Sequence, residues 1–303
     1  MTMANPNWVV LGPGAISGLM AAGLLEHRQS VSILARHTRK NSVSWQITRS
    51  GKKTAFSAPV VQLPLAKNSV FIVAVKAFDV TDALQRISEL DGFQKTMPIV
   101  LSHNGMVTLP ATLKGLNVHY MVTTHGAVKS RDENDTICIE HRGSGRSWLE
   151  AEKKSTQAKL SPWFILQDAF PPLLLEQDLS EKRWLKLVVN CVINPLTAIY
   201  QCVNGELLKE KWQPQLYSLA TEAVAVANKQ GISLTRDDCY QEVLRVARET
   251  ALNHSSMLQD IKQQRRTEIQ QLTGYLIQTG KAAGIATPTH QALLDEFQKR
   301  YAN

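Results

Sequence analysis

The feature that most constrains the fold is a change of pattern part-way along the chain. From Asn7 to about Leu149, the apolar runs "WVVL", "SVSILA", "SVFIVAV", "PIVLS" and "VHYMVTT" recur at strand length, with helical patterns between several of them. A strand buried on both faces reads as a continuous apolar run, so this alternation predicts a parallel sheet covered by helices. The segments "SWQITRS", "KTAFSAPVVQL", "TICIE" and "SWLEAE" read as antiparallel or edge additions. After about Asp178, leucine, alanine and valine recur at helical spacing through Ala283. The expected fold class is α/β, with an N-terminal Rossmann-type parallel-sheet domain over 1–177 and an all-α domain over 178–303. The boundary falls near residues 171 to 180, after "FPP". No internal repeat or low-complexity segment interrupts either half.

"VVLGPGAISG" places Gly12 and Gly14 directly after the first strand and at the start of a helical run from Ala15 to Glu26. In a Rossmann unit the first glycine turns the chain, and the second lets the backbone approach a pyrophosphate lying on the helix N-terminus. Ser17 stands where the third glycine is usual, with Gly18 one residue late. A small side chain there still permits close packing of helix on strand. The next strand ends in Arg36, about 20 residues beyond the loop, where an NAD-binding protein places an aspartate or glutamate for the ribose 2′-hydroxyl. Here the chain reads "ARHTRK", and Arg36, with Arg39 or Lys40, offers guanidinium and ammonium donors to a 2′-phosphate. NADPH is the implied cofactor, and a solvated basic loop is the structural alternative.

Ligands of an open α/β sheet lie beyond the carboxyl ends of its strands. Lys76 ends "VFIVAVK", Asn104 follows "PIVLSH", and "HGA" at 125 to 127 follows "VHYMVTT". His103 and His125 stand at such tips either as acid–base candidates or as structural hydrogen-bonding residues. Asn104 before Gly105 also fits ordinary turn chemistry.

In the second half, "LKLVVNCVINPLTAIY" from Leu185 to Tyr200 sets Lys186, Asn190 and Asn194 at four-residue intervals in a very apolar segment. Each polar group left unpaired there would cost free energy. A helix over 182–194 aligns the three in one stripe, and Pro195 is expected to end it at Asn194. Asparagines can satisfy each other inside a bundle and a lysine can reach its amine to water. Alternatively the stripe is a pocket wall, with the lysine protonating a polar substrate and the amides orienting it.

Composition narrows the classes. The 303 residues are 44% apolar and 20% charged, as in a soluble globular protein. No uncharged apolar run approaches the roughly 18 residues that span a bilayer, and the first six residues carry no lysine or arginine. A cytoplasmic protein without export signal or membrane segment is expected. The four cysteines lack metal-ligand spacing, so reduced thiols and no metal site are expected. A formal charge of +8, scattered apart from "RHTRK" and "KQQRR", favours small anionic ligands over nucleic acid.

"KLVVNCVINPLTAI", "CVNGEL", "SSMLQD", "RTEI" and "GYLI" together closely resemble the ketopantoate reductases, NADPH-dependent enzymes of pantothenate synthesis. The resemblance extends from the glycine loop through "VKAFDV", "HNGM" and "TTHGA" to "GIATPTH". It implies reduction of 2-dehydropantoate to pantoate, with Lys186 as general acid. Asn190, Asn194, Asn204, Ser256 and Asn104 would hold the substrate. Gly12, Pro13, Gly14, Ala15, Ile16, Ser17, Arg36, Lys76, Asn104 and Ala127 would contact NADPH. Glu268 would lie where cofactor and substrate meet, either accepting from a substrate hydroxyl or holding Lys186. The site is expected in the cleft between the domains, with closure excluding water. The partner is a small acid, and the protein a monomer or homodimer.

In one straight helix Ser256 and Glu268, 12 positions apart, would stand roughly 18 Å from each other. A shared site therefore requires an interruption. "TEIQ" reads as a capping box starting a new helix at Thr267, and Ser256 with Gln259 fits a capping box that competes with substrate binding. Two rivals remain at this point: a reductase of another small 2-oxo acid, and a noncatalytic NADPH-binding redox sensor.

Overall fold

The computed structural model describes residues 5–35, 40–151 and 161–301. Arg36 and Arg39 lie outside the described residues. The chain divides into two compact units, Met1–His103 with Leu109–Leu179, and Asn104–Thr108 with Ser180–Asn303.

The first unit opens with β1 (Asn7–Val10), α1 (Ala15–Glu26) and β2 (Ser30–Ile33), followed by the hairpin β3 (Ser42–Arg49) and β4 (Lys52–Pro59). Next come β5 (Ser69–Ala74), α2 (Val80–Ser88), β6 (Ile99–Ser102) and β7 (Val118–Thr123). It closes with β8 (Gly126–Arg131), β9 (Ile137–Gly143), β10 (Ser147–Glu150), α3 (Pro162–Ala169) and β11 (Leu173–Glu176). A seven-stranded sheet runs in the order β11-β10-β7-β6-β5-β1-β2. The five continuous apolar runs are its strands β1, β2, β5, β6 and β7, all paired in parallel. Their consecutive residues are buried, as at Trp8, Val9 and Val10, because both faces are covered. Strand order reverses between β1 and β5, which puts the glycine loop at the switch point.

A second, four-stranded sheet runs β4-β3-β9-β8. Ser50 and Gly51, both at positive φ, close the β3–β4 hairpin. "TICIE" is not an edge here: β9 pairs parallel with β3 and antiparallel with β8. Its buried Ile137 and Ile139 show one covered face, a pattern that says nothing about the number of neighbouring strands. "SWLE" forms β10, antiparallel to β7 and parallel to β11.

The second unit holds α4 (Ser180–Ile199), α5 (Gln213–Lys229), α6 (Arg236–Glu249), α7 (Ser256–Lys262), α8 (Tyr275–Ala282) and α9 (Pro288–Arg300). The expected end of α4 at Asn194 is corrected, since the helix continues through Pro195 to Ile199. The proline costs about 3 kcal/mol in a helix interior. Val192, Ile193, Leu196 and Ile199 are almost wholly buried, and each contributes about 1.5–3 kcal/mol by leaving water, so packing outweighs the break. The Thr197 hydroxyl adds a bond to the Ile193 carbonyl at 2.8 Å.

Glu222 of α5 docks α9. Its carboxylate accepts from the Thr289 and His290 N–H groups at 2.7 and 3.0 Å, with His290 Nδ1 at 2.9 Å, so the first-turn donors of α9 are satisfied. The four cysteines are unpaired. Among the described residues no helix is long and apolar enough to cross a membrane.

Candidate active site

The loop after β1 leaves open space at its turn: Gly12 has φ +67°, and a Cβ there would meet nothing within 4 Å. Ser17 is completely buried. Its Oγ accepts from the Gly14 N–H and donates to the Gly12 carbonyl, both at 2.8 Å. The usual role of a third glycine falls instead to Gly18, where a Cβ would stand 2.2 Å from Ile139 Cδ1 of β9. Ser17 thus ties the loop while Gly18 permits close packing. Beyond Pro13 and Gly14, Ala15 and Ile16 open α1, whose first turn carries no acidic residue. Its unsatisfied N–H groups and positive dipole end suit a pyrophosphate.

Around this loop, Lys76 follows β5 and its carbonyl accepts from the Asp79 N–H at 2.9 Å. Ala127 lies in β8 opposite His141. The Arg86 guanidinium of α2 donates to the carbonyl of Ala35, so a cation that sequence reasoning missed stands at the end of β2. His125 has its Nδ1 engaged, accepting from the Gly145 N–H at 3.3 Å and lying 3.1 Å from His141 Nε2. Burial, with His141 beside it, pushes its pKa down to about 4. His103 stacks edge-on to Tyr120, with ring centroids 6.5 Å apart.

In the second unit Lys186, Asn190 and Asn194 stand on α4, about 12 Å from first to last along the axis. Asn194 is only 6% exposed. Neither Asn190 nor Asn194 makes a side-chain hydrogen bond among the described residues, and neither amide is fully enclosed. They do not satisfy each other. Burial pushes the Lys186 ammonium down to about 8, and the Glu268 carboxylate acts against that fall. Glu268 is 4% exposed, and its Oε2 accepts from Asn104 Nδ2 at 3.2 Å. Asn104, like Glu268, belongs to the second unit.

The interruption that the spacing requires is present. α7 stops at Lys262, Gln264 takes φ +52°, and the wide turn Gln270–Gly274 follows, with the Gly274 N–H reaching back to the Ile269 carbonyl at 3.1 Å. Asp260, almost wholly buried, clamps the bend by accepting from Arg265 Nε and Nη2 at 3.1 and 2.9 Å. The expected cap at Thr267 is corrected. The next helical segment begins at Gln270, where the Glu268 carbonyl already accepts from Gln271 and Leu272.

The cap expected at Ser256 is also corrected. Ser255 caps α7, accepting from the Leu258 N–H at 3.2 Å and sharing a 2.7 Å bond with Thr197 of α4. Ser255 faces α4 and is buried, so Ser256 remains exposed and outside the cap. Asn204 opens the turn Asn204–Leu208. Its Nδ2 donates to Thr250 Oγ1 at 2.8 Å, and its Oδ1 is enclosed without a partner.

The family model described as "Ketopantoate reductase PanE/ApbA" matches residues 8–153, and its C-terminal counterpart matches residues 178–300. The chain belongs to the ketopantoate reductase family. A 2-dehydropantoate 2-reductase of Vibrio cholerae is 31% identical over 295 residues, covering 96% of this chain and 97% of that one. Its Salmonella typhi counterpart is 30% identical, covering 96% and 94%. Two solved structures share the fold. A dimeric ketopantoate reductase from Staphylococcus aureus has TM-score 0.80 at 17% identity, covering 97% and 98%. D-mandelate dehydrogenase with NADH and anilino(oxo)acetate has TM-score 0.80 at 22% identity, covering 97% of each chain.

Proposed function

We propose that the protein reduces 2-dehydropantoate (ketopantoate) to pantoate with NADPH, a step of pantothenate and coenzyme A biosynthesis, in the cytoplasm. The observation that carries this reading is the stripe on α4, where two unengaged asparagine amides lie in line with a lysine near 8. A purely structural helix has no use for such groups. The names of the Vibrio and Salmonella relatives support the substrate. "ARHTRK" after β2, with no acidic residue for a 2′-hydroxyl, supports NADPH over NADH.

Bound NADPH would supply a hydride to the ketone carbon, and the groups of this chain would manage the charge that results. Negative charge grows on the carbonyl oxygen, where the Lys186 ammonium stabilises it and then donates the proton that completes the alcohol. The Glu268 carboxylate keeps Lys186 protonated. Asn190, Asn194 and Ser256 offer donors to the substrate carboxylate, carbonyl and hydroxyl. Asn204 lends an acceptor, since its amide nitrogen is already bonded to Thr250. Gly12 to Ser17, Arg36, Lys76, Asn104 and Ala127 hold the cofactor.

The fold shared with D-mandelate dehydrogenase keeps a second reading in view, reduction of another 2-oxo acid. The test follows NADPH oxidation by absorbance with ketopantoate and with 2-oxoisovalerate, running NADH in parallel and Lys186→Ala as comparison. Fast, ketopantoate-dependent oxidation that prefers NADPH and falls by about 10²–10⁴ in the variant is expected. Preference for the other acid transfers the proposal to that substrate. NADPH binding without oxidation by either acid refutes both substrates, leaves the fold reading standing and sends the search to other 2-oxo acids.

A further inference from the structure

Within the second unit, Gln271 joins two segments through its backbone. Its N–H donates to the Glu268 carbonyl at 3.1 Å, and its carbonyl accepts from the Met106 N–H at 3.0 Å. Asn104, two residues before Met106, donates its amide to Glu268 Oε2 at 3.2 Å. The segment Asn104–Thr108 is thus stitched to the turn that follows Glu268 at two points, and Met106 is buried in the helical core.

Gly105 makes the approach possible. It has φ +68°, and a Cβ there would lie 2.3 Å from the Gln271 carbonyl oxygen and 2.8 Å from its carbon, backbone atoms that cannot swing aside. Left-handed backbone alone does not explain this. Gly12, Gly51, Gly115, Gly231 and Gly284 share the conformation, and a Cβ on any of them would meet nothing within 4 Å. Gly105 is held against a neighbour as well as turned. Among the described residues the Gln271 side chain makes no hydrogen bond, and its Oε1 is enclosed without a partner. The stitch is made by backbone.

We infer that Gly105 is a positioning residue for Glu268: its close contact with the Gln271 backbone docks the Asn104 amide on the carboxylate and so sets where that negative charge stands. The inference rests on the role proposed for Glu268 beside Lys186. Hydrogen bonds to charged groups are strong enough that loss of this one is expected to lower kcat by about 10- to 100-fold.

The test is a double-mutant cycle on kcat with Gly105→Ala, Asn104→Ala and the pair, and with Gln271→Met as the side-chain control. If Gly105 acts through Asn104, the pair is expected to be no slower than Asn104→Ala by more than about twofold. Multiplying losses, or a Gly105→Ala enzyme with wild-type kcat, would overturn the inference. So would a Gln271→Met loss equal to that of Gly105→Ala, because the side chain would then carry the effect. Hydrogen exchange at the Met106 amide needs no turnover. Protection in the wild type and its loss in Gly105→Ala are expected, and equal protection in both overturns the stitch. A wild type without ketopantoate turnover but with this exchange pattern would refute the substrate and leave the stitch standing.

Discussion

The charge relation between Lys186 and Glu268 dictates how activity should respond to pH. Lys186 lies at about 8 against an ordinary 10.5, a difference of about 2.5 pH units (10.5 − 8) or about 3 kcal/mol. Burial is the larger cause and Glu268 opposes it, so burial alone would take the ammonium below 8. Glu268→Gln removes the charge while keeping the shape and an acceptor for Asn104. A neighbouring opposite charge changes a pKa by about 1–3 units, so the variant's lysine should titrate that far below the wild-type value. If Lys186 donates the proton that reduction consumes, kcat/KM should fall as pH rises through this pKa. With a variant pKa one unit lower, about a tenth of the enzyme is protonated at pH 8, against about half in the wild type. The assay is kcat/KM for ketopantoate with saturating NADPH across that range, with cofactor binding measured separately at each pH. An alkaline limb in Glu268→Gln at or above the wild-type position would refute the pairing and, with it, Lys186 as the proton donor.

Three further outcomes are expected. Ser17→Ala loses both 2.8 Å loop bonds and should weaken NADPH binding by about 3- to 10-fold; an unchanged Kd by cofactor fluorescence contradicts the tying role of Ser17. Gly23→Ala would place a Cβ 1.8 Å from the Ala169 carbonyl oxygen where α1 meets α3, and overpacking of this kind should cost about 1–3 kcal/mol. Urea unfolding reads the loss, and wild-type stability would show that the helices part freely. For Glu222, burial works to raise the carboxyl, but the donors of His290 and Thr289 outweigh it and hold the group at about 2. Its contribution to stability is therefore complete above about pH 4.5 and is lost as pH falls from there towards 2. Glu222→Gln should lower the melting temperature at pH 7 and flatten this acid limb; parallel curves for the two proteins would contradict the assignment.

How much could be read from residues alone follows the range of the physics involved. The parallel strands were legible because two-sided burial leaves continuous runs such as Trp8–Val10, a local pattern. Pro195 misled because a local backbone rule met a tertiary gain: the buried face of α4 carries the helix five residues beyond Asn194. Ser255 and Ser256 are adjacent and chemically identical, and only the contact with Thr197, 58 positions away, decides which caps. His125 occupies the kind of strand tip that also holds ligand-binding residues, and its contact with a histidine 16 positions on leaves no trace in the local sequence. The bond between Asn104 and Glu268 spans 164 positions and leaves no periodic trace, so only family resemblance could name both.

The question raised by the stripe on α4 has a physical answer in the same terms. Helix spacing alone allowed the asparagines to satisfy one another, a bland solution that would have left nothing to explain. Among the described residues Asn190 and Asn194 lack that solution, on a helix where Val188, Cys191 and Val192 are fully enclosed. Neither amide is fully enclosed, so each can be met by water in the absence of a protein partner. A bound acid with a carboxylate and a carbonyl would take the place of that water, so the groups the helix leaves open are the ones proposed to select its ligand.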